Sequence, residues 1–284
     1  MTINEQTLWL QGEGFDMLGI VSLPAAGTPT QRTGVVIVVG GAQYRVGSHR
    51  QFVQLARFLS EAGFPVLRFD LPGMGDSPGE LPPFEDTAPH IAAAIDGFQR
   101  QCPGVEHVVL WGLCDGASAS LLYVDATHDP RIAGLALLNP WVRSEVSLAR
   151  ARVKHYYRQR MMEGAFWRKL FKGGVGLNAL KDFGGSVRRM SGAAPTKQTF
   201  QTFQDLMAQA WRSIDRPILL LLSERDLTAQ EFVEHANVSA AWAGWNRHPG
   251  LDQHTLALAD HTCSAQLSAH QSEQLTRSWL QRLP

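Results

Sequence analysis

The sequence is short of the features that most often announce a function. It holds three cysteines, Cys102, Cys114 and Cys263, with no Cys-x-x-Cys spacing, so neither a disulfide framework nor a zinc site is expected. Lys and Arg number 26 and Asp and Glu number 26, leaving no net charge and no global basic excess that would draw the chain to nucleic acid. No apolar run reaches transmembrane length, and Met1-Thr2-Ile3-Asn4-Glu5-Gln6 has neither the basic nor the apolar region of a leader peptide. A cytoplasmic location is the expectation. Internal repeats and low-complexity tracts are also missing. What is present is a 284-residue chain, 44% hydrophobic, a size that fits one α/β domain with an insertion.

The pattern along the chain alternates. Short antiparallel strands are expected at residues 7–10 and 15–23, then a buried β-branched strand at 34–39 that ends in Gly40-Gly41-Ala42-Gln43. An amphipathic helix is expected over 48–62, a strand over 66–70 and a helix over 86–101. The loop Asp70-Leu71-Pro72-Gly73-Met74-Gly75-Asp76-Ser77 lacks the third glycine and the following helix of a dinucleotide site, so no nucleotide cofactor is expected. A strand at 132–138 closes with Asn139-Pro140-Trp141. The alternation then gives way to an all-helical stretch, 144–211, punctuated by Gly173-Gly174, Gly184-Gly185 and Gly192. It resumes with a strand at 217–222, a helix at 228–243, a last strand at 255–258 and a closing helix at 264–280. Strands alternating with helices imply a mostly parallel twisted sheet flanked by helices, interrupted by an inserted helical cap. The expected boundaries are a core of 1–141 with 213–284 and a cap of 142–212.

The stretch that organises this layout is His107-Val108-Val109-Leu110-Trp111-Gly112-Leu113-Cys114-Asp115-Gly116-Ala117-Ser118. An apolar run stops at a glycine, reaches a cysteine, and passes a second glycine into a small-residue helix. That is the layout of a nucleophile elbow, with Cys114 in the place usually held by serine. Gly112 and Gly116 suit so tight a turn because they have no Cβ. The turn leaves Cys114 at a helix N-terminus, where free N–H groups favour a thiolate. The competing reading is a plain βα turn with a buried cysteine.

Nucleophilic acyl chemistry then needs an acid and a base, in the order nucleophile, acid, histidine. Ser223-Glu224-Arg225-Asp226 follows a strand at the sheet edge where catalytic groups collect, which makes Asp226 the expected acid and Glu224 the fallback. Ala259-Asp260-His261-Thr262 falls after the last strand and before the last helix, so His261 is the expected base, ahead of His248 and His254. No carboxylates cluster around these histidines, and no metal is expected. The oxyanion hole would use the N–H of Asp115 and an N–H of the Gly40–Gln43 loop, Ala42 being the choice. A carboxylate at Asp115 repels a developing oxyanion unless it turns away or is paired. Arg45, His49 and Arg50 follow the same loop and could pair it or bind an anionic substrate, with solvated residues at a helix start as the plain alternative; Gly41 and Gln43 are further candidates for substrate binding.

Four segments carry a resemblance: Gly40-Gly41-Ala42-Gln43-Tyr44-Arg45-Val46-Gly47-Ser48-His49-Arg50-Gln51-Phe52, Arg68-Phe69-Asp70-Leu71-Pro72-Gly73-Met74-Gly75-Asp76-Ser77, Trp111-Gly112-Leu113-Cys114-Asp115-Gly116-Ala117-Ser118 and Ala259-Asp260-His261-Thr262. Together they resemble the exosortase A system-associated α/β-hydrolases of the first type, over nearly the whole chain. The resemblance implies the α/β-hydrolase fold, a bacterial setting beside exopolysaccharide and protein-sorting genes, a hydrolase-like activity with no assigned substrate, and Cys114, Asp226 and His261 as the triad. One departure is Glu224, where many such acid loops have glycine. The function expected from residues and resemblance together is cleavage or transfer of an ester or thioester acyl group through a Cys114 acyl-enzyme, with no cofactor. The substrate would be a small or lipid-linked acyl compound. The alternative is a non-catalytic ligand-binding protein on the same scaffold.

From Arg143 to Arg189 the chain carries twelve Lys and Arg against three acids, an excess of nine, interleaved with Trp141, Tyr156, Tyr157, Phe166, Trp167 and Phe171. Such a mixture suits peripheral contact with an anionic surface, a membrane face or a charged glycan-lipid. Solvated helices with inward aromatics are the plain alternative.

Overall fold

A computed structural model describes residues 4–41, 43–143 and 201–283. Within them, strands β1 (Asn4–Gly12), β2 (Phe15–Leu23), β3 (Thr33–Val38), β4 (Val66–Phe69), β5 (His107–Leu113), β6 (Ile132–Leu138), β7 (Ile218–Ser223) and β8 (Leu251–Leu256) form one sheet. Its order is β1-β2-β4-β3-β5-β6-β7-β8. The pairings β1–β2 and β2–β4 are antiparallel and all the others are parallel. The helices are α1 (Gln51–Glu61), α2 (Ala88–Gln101), α3 (Asp115–Thr127), α4 (Phe203–Ser213), α5 (Leu227–Val238) and α6 (Gln266–Leu280).

The central strands are near-continuous apolar runs because both faces of the sheet are covered. In β3, β5 and β7 odd and even residues separate between the two layers. Val109, Trp111 and Leu113 of β5 pack with Phe52, Leu55 and Leu59 of α1 and Trp279 of α6. Val108 and Leu110 pack on the other face with Ile91 and Phe98 of α2, Leu121 of α3, Trp211 of α4 and Phe232 of α5. Helix α3 lies deepest, buried without a break from Gly116 to Val124. This is why its first turns are built of Gly, Ala and Ser. The parallel strands all end at the same edge, and the loops that leave β5, β6, β7 and β8 meet there.

Three expectations need correction. The last strand is Leu251–Leu256, earlier than 255–258. Its residues alternate between half-buried and exposed, as an edge strand does, so it lacks the apolar run that marks the strands inside. The helix expected over 228–243 ends at Val238, and its last residues form a short 3-10 turn, Ala240–Trp242. Helix α4 was expected to close the cap, but it belongs to the main unit. The chain divides into Met1–Val142 with Thr202–Pro284, and Arg143–Gln201. Thr202 and Asp205 close a reciprocal capping box at the start of α4, and its Trp211, 1% exposed, donates Nε1–H to the Trp245 carbonyl at 2.9 Å. The helices expected over 144–200 and their basic face lie outside the described residues. No helix among the described residues is long and apolar enough to cross a membrane, and no group of three metal-ligating side chains occurs among them.

Candidate active site

Cys114 stands at the junction of β5 and α3 with φ 61° and ψ −125°, a backbone conformation that non-glycine residues rarely adopt. Such strain costs about 1–3 kcal/mol and persists only where the surroundings enforce it. Here they do. A Cβ on Gly112 would come within 2.5 Å of the Gly116 carbonyl oxygen, and one on Gly116 within 2.3 Å of the Val38 carbonyl oxygen. The strand and helix therefore meet at a distance only glycine allows, and the cysteine between them is turned out, half-buried. The other two thiols are buried, and burial pushes both Cys102 and Cys263 up to about 11.

Asp226 follows β7 as the N-cap of α5. Its Oδ1 accepts the Thr228 N–H and its Oδ2 the Ala229 N–H, both at 3.2 Å. These bonds fix a carboxylate that is only 6% exposed. Its Oδ2 lies 2.9 Å from Nδ1 of His261. Asp226 first, and then the Cys114 thiol, raise the imidazole from 6.5 to about 10 against the opposing effect of burial. Cys114, His261 and Asp226 are thus brought into one chain. Glu224 is not in it: the side chain is exposed and its Oε2 accepts the Leu258 N–H at 2.7 Å, supporting the loop that leads to His261.

The expected oxyanion groups divide. Ala42 lies outside the described residues. Asp115 opens α3, and the only first-turn amides bonded to the Cys114 carbonyl are those of Ala117 and Ser118. The Asp115 carboxyl turns toward the Gly40–Gly41 loop so closely that a Cβ on Gly40 would sit 1.9 Å from Oδ1. Burial raises its pKa, opposed by the amides of Gly41, Asp115 and Gly116 and by His261. A carboxyl shifted toward its neutral form repels a neighbouring oxyanion less.

The expected substrate-binding residues are less available than their positions promised. Arg45 is bound to Asp70 and Asp76 through its two terminal nitrogens, and its side chain is 13% exposed, so it pairs neither Asp115 nor an incoming anion. Asp70 and Asp76 are the two acids of the loop with a partial dinucleotide pattern, and this ion pairing is what the loop does. Gln43 bonds Ser48 Oγ at 3.3 Å and Gln51 at 3.5 Å. Gly41 is exposed, with φ 57°. His49 is exposed and, with Cys263, lines a groove of about 660 Å³ between α1 and α6. Asn139, directly after β6, donates its Nδ2–H to the His261 carbonyl at 3.2 Å; its one sequence signal is a polar residue closing an apolar strand.

A half-buried cysteine on a tight strand-to-helix turn, a histidine beside it and a capped aspartate behind have the layout of α/β-hydrolase-type sites. The profile of the alpha/beta hydrolase family matches residues 35–273, and the chain belongs to that family. Solved structures with the same fold include an esterase of Pyrococcus furiosus, 16% identical with a TM-score of 0.64, covering 99% of this chain and 93% of that one. An alpha-beta serine hydrolase homologue from Coxiella burnetii is 14% identical with a TM-score of 0.58, covering 96% of each chain. A serine hydrolase without a lid from Xanthomonas campestris is 15% identical with a TM-score of 0.59, covering 99% of this chain and 96% of its own. Among curated proteins, human protein ABHD12B is 36% identical over 78 residues, a match spanning 28% of this chain and 20% of that protein. Two of these neighbours are described as serine hydrolases, whereas this elbow holds cysteine.

Proposed function

We propose that the protein cleaves or transfers an acyl group through a thioester on Cys114. The observation that carries the reading is the 2.9 Å pairing of the buried Asp226 carboxylate with His261, a ring whose raised pKa owes also to the Cys114 thiol on its elbow. His261 takes the thiol proton on the ring nitrogen opposite Asp226, and the sulfur attacks the carbonyl carbon of an ester or thioester. The N–H of Asp115, with that of Ala42, holds the oxyanion. The bond to the leaving group breaks as His261 returns its proton to the departing oxygen or sulfur. In the second half His261 takes a proton from water or an alcohol or thiol acceptor. That acceptor attacks the thioester, the carbon–sulfur bond breaks, and the sulfur regains its proton.

Sulfur in place of serine favours transfer or a specialised substrate, since a thioester passes its acyl group readily to another nucleophile. The resemblance to exosortase A system-associated hydrolases supports a substrate from that setting, a small or lipid-linked acyl compound. Peripheral contact of the basic stretch between Arg143 and Arg189 with an anionic surface belongs to the same proposal. The test is mass spectrometry after mixing with p-nitrophenyl esters. An initial burst of nitrophenol and a persisting acyl adduct on Cys114, shortened by an alcohol or thiol more than by water, are expected. A folded protein that forms no adduct would instead be a ligand-binding protein on a hydrolase scaffold.

A further inference from the structure

The exit of β6, Leu138-Asn139-Pro140-Trp141, touches both halves of the site. On the nucleophile side, the Leu138 carbonyl accepts the Cys114 N–H at 2.9 Å and the Trp141 N–H donates to the Cys114 carbonyl at 3.2 Å. The Trp141 carbonyl also accepts the Ser118 hydroxyl at 2.6 Å. The strained backbone at Cys114 is therefore gripped from both sides by one short segment. On the base side, the Asn139 side chain is wholly buried. Its Nδ2 donates to Ser223 Oγ at 3.0 Å and to the His261 carbonyl at 3.2 Å, and its Oδ1 accepts the Ser223 N–H at 2.8 Å. Ser223 in turn accepts the Asp226 N–H at its carbonyl, at 3.2 Å.

We propose that Asn139 is a positioning residue that sets the separation of His261 from Cys114, an inference that rests on the Cys114–His261 reading above. A histidine ring needs two fixed points to keep its place. Asp226 fixes the ring and Asn139 fixes the main chain. Asp226 alone does not suffice, because its own loop is registered to the sheet partly through Ser223, which Asn139 also holds. Leu138 and Asn139 are adjacent, so one peptide unit separates the anchor of the nucleophile from that of the acid and base. The backbone of Asn139 has φ 50°, a conformation that asparagine tolerates better than most residues. A buried amide is retained in such a place because all its bonds are made, and leaving its partners unpaired is costly.

The variant Asn139→Gly keeps the positive φ and removes the amide. Two readings are taken on the folded protein, the NMR titration of the His261 ring and the rate of Cys114 alkylation by iodoacetamide at pH 7. The ring faces Asp226, Cys114 and Asp115, so its titration reports this geometry and not overall stability. In the wild type it should titrate near 10, and in the variant move at least about one unit back toward 6.5. Alkylation should fall about 10²-fold, the size expected for a misplacement near 1 Å. Ser223→Ala, which spares the bond to His261, should stay within about threefold. If Asn139→Gly does not fold, Asn139→Asp, of the same shape but without the two N–H donors, takes its place with the same expectation. A folded variant with wild-type titration and wild-type alkylation overturns the proposal. A wild type whose His261 titrates near 6.5 and whose Cys114 labels no faster than the other thiols overturns the underlying Cys114–His261 reading instead, and Asn139's role with it.

Discussion

Two charged assemblies stand on this sheet, and they differ in how they end. Beside β4, Arg45 joins Asp70 and Asp76, Arg68 binds the Arg45 carbonyl and Glu5, and Arg57 binds Glu5. Each carboxylate there meets a guanidinium, and Asp70 and Arg68 are sealed from solvent. Its neighbours hold Glu5 below the usual carboxylate range, against burial, and raise Arg45 above its ordinary value. Beyond β7 and β8, the chain from Asp226 through His261 leads to a half-buried sulfur. A network whose carboxylates are all met by guanidinium groups has little charge left for a substrate, whereas an open-ended one directs its polarisation at whatever binds there. Arg45, next to the expected oxyanion loop, looks functional by position and is structural by its bonds.

The largest effects should fall on the open chain. Cys114→Ala should abolish the acyl adduct, and His261→Ala should slow acylation by at least about 10³-fold, with near-normal thermal stability in both. Asp226→Asn should cost about 10²–10⁴-fold, because the ring loses the partner that orients it. Glu224→Gln should stay within about twofold, since Glu224 touches the loop and not the ring; the reverse pattern would move the acid to Glu224.

The closed network should answer the other way. Asp70→Ala leaves Arg45 charged and largely buried, so chemical denaturation should show about 3–5 kcal/mol of lost stability while Cys114 labelling of the folded protein is unchanged. Asp76 is 64% exposed at its side chain, and Asp76→Asn should cost only about 0–1 kcal/mol. A labelling defect in folded Asp70→Ala would erase the distinction between the two assemblies.

The pH dependence follows from His261. Its folded value lies above its unfolded one, so its contribution to stability is fully present below 6.5 and is lost as pH rises through about 10. Acylation by alkyl esters, whose leaving alkoxide needs a proton, should hold through neutral pH and fall over the same upper range. The smallest effect expected is at the basic stretch. Sedimentation with anionic vesicles should exceed that with neutral ones at low salt and disappear near 1 M salt, where screening reaches about 3 Å; equal partitioning would remove surface contact from the proposal.

Much of this was legible in the sequence, for identifiable reasons. The apolar runs of β3, β5, β6 and β7 mark strands covered on both faces, and the glycines on each side of Cys114 mark the tight turn the structure has there. That Asp226 and His261 come together could be read because each follows a strand at the same end of the sheet. What escaped was fixed by distant partners. Arg45 is neutralised by residues 25 and 31 positions away, which no local pattern shows. Asn139 joins Ser223 and His261 across 84 and 122 positions, and beside Pro140 it reads only as a turn. Helix α4 has an amphipathic face but no label saying which unit that face will cover. Strand β8 sits at the edge, so four of its six residues are polar.

If His261 serves Cys114, that thiol must differ from the other two. The direct measurement is the iodoacetamide labelling rate of each cysteine between pH 6 and 11, followed by peptide mass spectrometry. Cys114 should label rapidly at neutral pH and change little until His261 loses its proton near 10, while Cys102 and Cys263 become reactive only toward about 11. In His261→Ala the neutral-pH preference for Cys114 should vanish. Three cysteines rising together with pH, or a His261→Ala variant that labels like the wild type, would contradict the account.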